Sequence, residues 1–333
     1  MPKRIIFPKK GGVVFEEFEL RAPIDSEVRV KTLFSLMSIG TETIILHQKY
    51  DENTHFAQMF SFPQLKTGVQ AIGRVEAKAE AADNFKVGDL VYMRAAHGSH
   101  QLLDESLCSP IPDDIEDLKS ASWAGLAKTA FRAAWAGDLK PESHVLIIGA
   151  GPVGQMTVRW VANANVATLA VADVSGFRLE YAKQGGAALL IQGDIASSLD
   201  KISLINKNRG PDLVIDTTGN AEVFGSALAA AGQFGKVILL GDSGYPSKQC
   251  LSSEVMTKGL TIQATHDSHD LGGWTQRKID ARFFDLLHKG KFNLTGLITH
   301  EFRPDQCVEA YQQADNRRGE SMGILYDWTQ TDY

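Results

Sequence analysis

Three glycines near the middle of the chain follow a short apolar run and predict a binding site for a dinucleotide pyrophosphate. Residues 145–148 are apolar and predict a buried parallel strand, and Gly149, Gly151 and Gly154 follow with G-x-G-x-x-G spacing. The first glycine permits a tight turn, the second lets the backbone approach the phosphates, and the third allows the next helix to pack closely. The alternative, a glycine-rich turn without a ligand, is disfavoured by this order of strand, turn and helix.

An acidic residue at the end of the next predicted strand indicates which dinucleotide is bound. The apolar residues 168–172 predict that strand, and Asp173 ends it at the usual distance of about 20 residues from the glycines. A carboxylate here would accept hydrogen bonds from the ribose hydroxyls and repel a 2′-phosphate, so the sequence predicts NAD rather than NADP. Arg178 could pair with a phosphate, although its helical spacing favours a position facing solvent.

Strands and helices alternate from residue 121 to residue 265, which predicts an α/β fold with a doubly wound parallel sheet. Further strands are predicted at residues 188–192, 212–216, 235–241 and 260–264. Ligands of such sheets bind beyond the carboxyl ends of the strands. The other residues predicted to contact the cofactor at this rim are Pro152, Val153, Val174, Thr217, Thr218, Gly219, Gly241, Asp242 and Ser243.

The regions on either side have a different character. Residues 1–120 contain short alternating runs, such as 27–33 and 71–76, between glycine, proline and aspartate turns, which predicts a β-rich domain. Residues 266–333, with a helix predicted at 277–289, are expected to return to that domain. The 333 residues therefore predict two domains, one of residues 1–120 and 266–333 and one of residues 121–265.

Composition excludes several classes of function. The net charge of −6 predicts no basic face for nucleic acid and no attraction to an anionic membrane. We expect a cytoplasmic protein, because no apolar run reaches the roughly 18 residues of a membrane span and the first residues lack the apolar core of a signal peptide. The isolated Cys108, Cys250 and Cys307 predict neither a disulfide framework nor a structural zinc clip of the C-x-x-C type.

The order of these parts resembles the medium-chain dehydrogenase/reductase superfamily over nearly the whole chain. The most specific stretches are residues 40–42 (Gly-Thr-Glu), 68–75, 86–91, 129–130 and 145–154. The resemblance implies a Rossmann domain combined with a β-rich, GroES-like catalytic domain. It also implies hydride transfer with a small hydroxylated substrate, a role for Thr129 at the cofactor, and a homodimer.

The chain departs from the zinc alcohol dehydrogenases of that superfamily at every catalytic metal position. Ile39 stands where the zinc enzymes have a cysteine, Val69 where they have a histidine, and Gln70 where a glutamate follows. The remaining ligand would fall near Gly125. Zinc needs three or four nitrogen, sulfur or carboxylate ligands, so we expect a zinc-free branch with no metal.

Other side chains are candidates to replace the metal in handling the substrate oxygen. By resemblance Thr41 begins the proton relay, although it could instead satisfy a local turn. Glu42 would need a partner such as Lys128 or Arg94, because an unpaired buried charge is costly. Gln70 could form a hydrogen bond with the substrate, or it could be a neutral residue that fills a metal site without ligands.

Two pairs of histidines are further candidates for acid–base chemistry near neutral pH. His97 and His100 lie on a glycine-containing loop after a predicted strand and are expected at the cleft. His266 and His269 follow the sixth strand with a spacing that resembles a metal pair, but no third ligand is visible in the sequence. An exposed loop histidine is the default alternative for each of them.

Three functions follow from these residues and the resemblance. The first is an NAD-dependent, zinc-independent dehydrogenase of a polar secondary alcohol, such as a sugar or polyol. The second is an NADPH-dependent reductase of quinones or enones, against which Asp173 argues. The third is a dinucleotide-binding protein that lost catalysis together with its zinc ligands.

Overall fold

The computed structural model describes residues 1–270 and 272–330. Within these ranges the strands, numbered in chain order, are β1 Lys3–Phe7, β2 Val14–Glu17, β3 Glu27–Leu36, β4 Leu65–Lys66, β5 Ala71–Lys78, β6 Leu90–Met93, β7 His100–Asp104, β8 Cys108–Pro110, β9 His144–Ile148, β10 Thr168–Asp173, β11 Leu189–Gln192, β12 Leu213–Asp216, β13 Lys236–Leu239, β14 Thr261–Ala264, β15 Ile298–Phe302 and β16 Gly323–Asp327. The helices are α1 Ile39–Leu46, α2 His55–Met59, α3 Leu118–Ala121, α4 Ala124–Ala136, α5 Pro152–Asn163, α6 Gly176–Gln184, α7 Ile195–Ser203, the single turn α8 Ile205–Asn208, α9 Ala221–Ala230, α10 Glu254–Thr257, α11 Gln276–His288 and α12 Cys307–Asn316.

The middle of the chain forms a six-stranded parallel sheet in the order β11-β10-β9-β12-β13-β14. This order places the first strand of the unit, β9, in the centre, with the reversal of strand order between β9 and β12. Such a reversal opens a crevice at the carboxyl ends of the strands, where dinucleotides bind. The predicted α/β class and doubly wound parallel sheet are confirmed.

Apolar side chains bury both faces of this sheet. Ile147 of β9 packs into a core with residues of α4, α5 and α11, while the neighbouring Ile148 faces a second core with residues of α7 and α9. Strands buried on both sides require continuous apolar runs, which explains why the sequence made them visible. The rigid sheet in turn fixes the positions of the loops at its carboxyl edge.

The N-terminal region forms two further sheets. β2-β1-β4 is three-stranded, and the other has the order β15-β16-β3-β5-β6-β8, with β7 also paired to β3. The last strand, β16, lies antiparallel to β3 and parallel to β15, so the C-terminal segment returns to the sheet of the N-terminal region. This mixed β architecture agrees with the expected second, β-rich domain.

One predicted helix begins three residues later than the pattern indicates, after a separate short helix. The pattern predicts a helix over residues 121–136, whereas α3 ends at Ala121 and α4 begins at Ala124. Asp117 caps α3 by accepting a hydrogen bond from the Ser120 amide, and the fully buried Trp123 occupies the junction. Within residues 1–270 and 272–330, no helix combines the length and apolarity needed to cross a bilayer.

Candidate active site

A cleft of about 670 Å³ connects the carboxyl edge of the parallel sheet with the N-terminal domain. Its sheet side includes all but one of the residues predicted to hold the cofactor: Thr129, Gly149, Gly151, Pro152, Val153, Gly154, Asp173, Val174, Arg178, Thr217, Thr218, Gly219, Gly241 and Asp242. Its other end includes Thr41, Gln70 and Lys128. One cavity therefore joins the predicted cofactor residues to three of the predicted catalytic residues.

The glycine-rich turn has the geometry that close phosphate approach requires. Gly149 has a φ of +91°, in the region that favours glycine, and a Cβ on Gly154 would lie 2.0 Å from the Gly149 carbonyl oxygen. Pro152 begins α5, and no side chain caps the helix N-terminus at Gly151. Because the first amide groups of a helix lack internal partners, they remain available to an anion here.

Asp173 braces the same turn. One carboxylate oxygen accepts a hydrogen bond from the Ala150 amide at 2.7 Å, and the other accepts one from the Ser175 amide at 2.8 Å. Arg178 does not face solvent as its spacing suggested. Its guanidinium donates to the Arg318 carbonyl oxygen, and burial lowers its pKa despite the nearby Asp173 carboxylate.

The neighbouring strand ends complete the rim. The Thr217 hydroxyl donates to the carbonyl oxygens of Ile148 and Gly149, both at 3.0 Å, which ties the end of β12 to the glycine-rich turn. Ser243 differs from the prediction because it does not line the cleft. Its buried side chain accepts a hydrogen bond from the Tyr245 amide and so stabilises the loop after β13.

At the end of the cleft that includes Thr41 and Gln70, Lys128 is almost completely buried on α4. Its ammonium nitrogen lies 3.6 Å from an Asp267 carboxylate oxygen and donates to Gln276 Oε1 at 3.2 Å. Burial lowers the pKa of Lys128, and the Asp267 carboxylate opposes that shift. Asp267 also pairs with Arg94. Burial by itself would raise the pKa of Asp267, but the nearby cations, Lys128 and Arg94 first among them, outweigh the effect of burial, and the pKa is lowered.

The residues at the zinc position of the resembling enzymes do not fit a zinc ion. Ile39 and Val69 offer no donor atom, and a side chain at position 125 would have to displace the ends of two neighbouring side chains. A Cβ on Gly125 would lie 2.5 Å from Gln70 Oε1 and 2.6 Å from the Tyr92 hydroxyl oxygen. The space that a metal ligand would need is occupied by other polar groups.

Gln70 is fully buried next to these residues. Its Oε1 accepts a hydrogen bond from the Leu126 amide at 3.2 Å, while its Nε2 has no hydrogen-bond partner. An unsatisfied buried donor typically costs about 1–3 kcal/mol. A ligand oxygen in the cleft would remove that penalty.

Glu42, which was expected near the metal position, instead lies in the interior of the N-terminal domain. It does not pair with Lys128. Its carboxylate accepts hydrogen bonds from the Ser38 amide, the Thr67 hydroxyl and the Tyr311 hydroxyl, and it lies 3.2 Å from His97 Nε2. Burial alone would raise the pKa of Glu42, but the charge and hydrogen bonds of these partners outweigh it, and the pKa is lowered.

The two histidines expected on the cleft loop also lie elsewhere. His97 is fully buried, with Nδ1 2.8 Å from the Ser35 hydroxyl and Nε2 on Glu42. His100 begins β7, where its imidazole lies 3.0 Å from the Ser99 hydroxyl and 3.5 Å from Glu76. Neither lines the cleft, because pairing of β7 with β3 draws this segment into the N-terminal sheet.

Several residues that line the cleft could not be identified from the sequence pattern. His55 at the start of α2, Asp267 after β14 and Arg318 near the C-terminus all line the cleft. His266 also lines it, whereas His269 does not. These residues come from segments far apart in the chain, and neither spacing nor periodicity links them.

A model of one known protein family matches part of this chain, mainly in the parallel-sheet region. Residues 152–274 match the model of a family described as zinc-binding dehydrogenase. This match covers 123 of the 333 residues. The description is that of the family, and the residues of this chain at the usual zinc position of zinc alcohol dehydrogenases do not fit that metal.

Relatives extend the likeness beyond residues 152–274. L-threonine 3-dehydrogenase of Paraburkholderia phytofirmans is 30% identical over 186 residues, which is 56% of this chain and 51% of that protein. The chain thus spans about half the length of this curated relative.

Two solved structures share the fold over nearly all of the chain. An alcohol dehydrogenase of Escherichia coli in complex with NADH is 21% identical with a TM-score of 0.81, and the match covers 98% of this chain and 99% of that one. A zinc-binding dehydrogenase of Sinorhizobium meliloti bound to NADP is 16% identical with a TM-score of 0.82 and the same coverage. At these identities the likeness establishes the fold.

Proposed function

We propose that this protein is an oxidoreductase that transfers hydride between a nicotinamide cofactor and a small polar secondary alcohol or its ketone. The observation that carries the proposal is the single cleft that joins a dinucleotide-type turn to Lys128 and the unpaired Gln70 Nε2. The relative named L-threonine 3-dehydrogenase supports a hydroxylated substrate.

We infer NAD as the cofactor. The two related structures were solved with NADH and with NADP, so the preference depends on residues of this chain. Asp173 lies at the rim where the ribose is expected, and its carboxylate would repel a 2′-phosphate. Arg178 is near but donates to the Arg318 carbonyl oxygen, which argues against its serving as a phosphate ligand.

In this proposal Lys128 moves the proton. Oxidation of the alcohol gives hydride to the nicotinamide and leaves a hydroxyl proton, which a neutral amine can accept. The lowered pKa of Lys128 favours the neutral form closer to physiological pH, and an acid–base group is most effective when its pKa is near the working pH. Thr41 and Gln70, which also line the cleft, would donate hydrogen bonds to the reacting oxygen and so stabilise the charge that the metal stabilises in zinc enzymes.

We also propose that no zinc at the family's usual position takes part in turnover. Ile39, Val69 and Gly125 supply no ligand, and the Cβ position of residue 125 is blocked by Gln70. Treatment with a strong chelator should leave turnover unchanged. A loss of turnover that zinc restores equally in the parent protein and in His55→Ala, which lacks a ligand of the separate site described below, would contradict this part. The homodimer stays a prediction, to be checked by light scattering.

The experiment combines a substrate panel with variants of Lys128. Reduction of NAD⁺ with polyols, butanediol or L-threonine would support the proposal, whereas oxidation of NADPH by quinones or binding without turnover would favour the alternatives. On the best substrate, Lys128→Met should lower kcat by about 10²-fold or more and remove the acidic limb of its pH profile. Lys140→Met, at an exposed lysine outside the cleft, is the matched control. A Lys128→Met variant with normal kcat and an unchanged profile would refute the role of Lys128.

A further inference from the structure

We propose that His55, Asp242 and His266 form a binding site for a divalent transition-metal ion such as Zn²⁺ at the edge of the cleft. One ring nitrogen of each histidine and one carboxylate oxygen of Asp242 all lie within 4.8 Å of one another. Across residues 1–270 and 272–330, no other group of three potential histidine, cysteine or acidic ligands is so close. The site is separate from the usual zinc position and does not depend on the proposed reaction.

Tertiary structure brings these ligands together from two parts of the protein. Asp242 follows β13 and His266 follows β14, and these strands are parallel neighbours, so their carboxyl ends lie side by side. His55 begins α2, which belongs to the N-terminal region. A metal held by all three would connect the sheet side of the cleft with the opposite side.

The side chains already have contacts that orient them toward a common point. His55 Nε2 lies 2.9 Å from Asp242 Oδ2, and the ring centroids of His55 and His266 are 5.9 Å apart. His266 Nδ1 lies 2.8 Å from the Ser268 hydroxyl and 3.3 Å from Asp267 Oδ1. These contacts leave His266 Nε2 for the metal, and a second hydrogen-bonded group behind a ligating imidazole is typical of metal sites.

The ligand set indicates which ions would bind. Two imidazoles favour zinc, cobalt, nickel or copper over magnesium and calcium, which prefer oxygen ligands. Three protein ligands leave the fourth tetrahedral position of zinc open to water or to another oxygen ligand. The three side chains are each between 42% and 45% exposed, so an ion can enter from solvent and exchange.

Titration of the full chain with Co²⁺ tests the site without measuring turnover, so its failure is distinguishable from failure of the proposed function. The exposed Cys250 is replaced by serine in every sample, because a free thiol also binds cobalt. We expect one Co²⁺ per chain with the visible absorption of a four-coordinate ion, and displacement of that ion by Zn²⁺.

His55→Ala, Asp242→Asn and His266→Ala should each weaken cobalt binding by at least about 10-fold, since loss of even an outer partner of a metal site commonly costs 10–100-fold. His269→Ala is the control, because His269 is adjacent to the site but is not among its ligands. Circular dichroism confirms that each variant is folded. Absence of cobalt binding in the parent protein would overturn the proposal, as would equal losses in His269→Ala and His55→Ala.

Discussion

Replacing Asp280 with asparagine should stabilise the protein at neutral and alkaline pH. Asp280 lies on α11 and is fully buried; one carboxylate oxygen accepts a hydrogen bond from the Ser109 hydroxyl at 2.7 Å, and the other has no partner. Burial raises the pKa of Asp280 to about 7, although Ser109 and Lys128 oppose that shift. Asparagine keeps the shape and an acceptor for Ser109 but cannot ionise.

The sign and size of the effect follow from proton linkage. The folded protein holds this proton up to about pH 7, whereas the unfolded chain releases it near the ordinary value of 3.8. The folded state therefore binds more protons between these values, and stability falls as pH rises through that range. Each unit of pKa difference corresponds to about 1.4 kcal/mol, so Asp280 lowers the free energy of unfolding by about 4 kcal/mol in total. This loss of stability is constant above about pH 7.

Urea unfolding of both proteins between about pH 5 and about pH 8 measures this difference. The stability of Asp280→Asn relative to the parent should increase by about 3 kcal/mol over that range. Asp285→Asn is the control on the same helix. Asp285 is only half-buried, and a hydrogen bond from Lys289 lowers its pKa, so replacing it should not produce this rise in stability with pH. A stability difference for Asp280→Asn that is constant with pH would refute the assignment of a buried, protonated carboxyl.

Three further predictions concern the cleft and its surroundings. Thr41→Val should lower turnover by about 10²-fold with little change in NAD affinity, measured by steady-state kinetics and cofactor titration, and near-normal turnover would exclude Thr41 from the chemistry. Asp173→Ala should reduce the preference for NAD over NADP by about 10-fold or reverse it, as measured by the ratio of kcat/KM values; a parent enzyme that prefers NADP would contradict the role of Asp173. Glu42→Gln should cost about 3 kcal/mol in urea unfolding while changing turnover little, because it breaks a buried charged network outside the cleft. Because folding lowers the pKa of Glu42, this residue stabilises the folded protein at pH values above its pKa in the unfolded chain. That stabilisation is lost as the pH falls through the pKa of Glu42 in the folded protein.

The strands and the glycine-rich turn on the sheet side of the cleft could be predicted because their requirements are local. A buried parallel strand needs an apolar run, and the turn at Gly149 needs a backbone that only glycine adopts easily. Gly154 is needed where a Cβ would collide with the preceding turn, and Asp173 must end the next strand. Each requirement falls within a few residues of the chain, so the parallel sheet and the glycine-rich turn at its edge were visible in the sequence.

Which side chains lie at the Lys128 end of the cleft depends on the tertiary structure. Glu42 meets Tyr311, which is 269 residues away in the chain, and this contact together with His97 draws the carboxylate into the interior rather than the cleft. His55 reaches His266 only because α2 packs opposite the end of β14. The free energy of such contacts depends on burial and on partners that are distant in sequence, so residue types and spacing alone left their positions open.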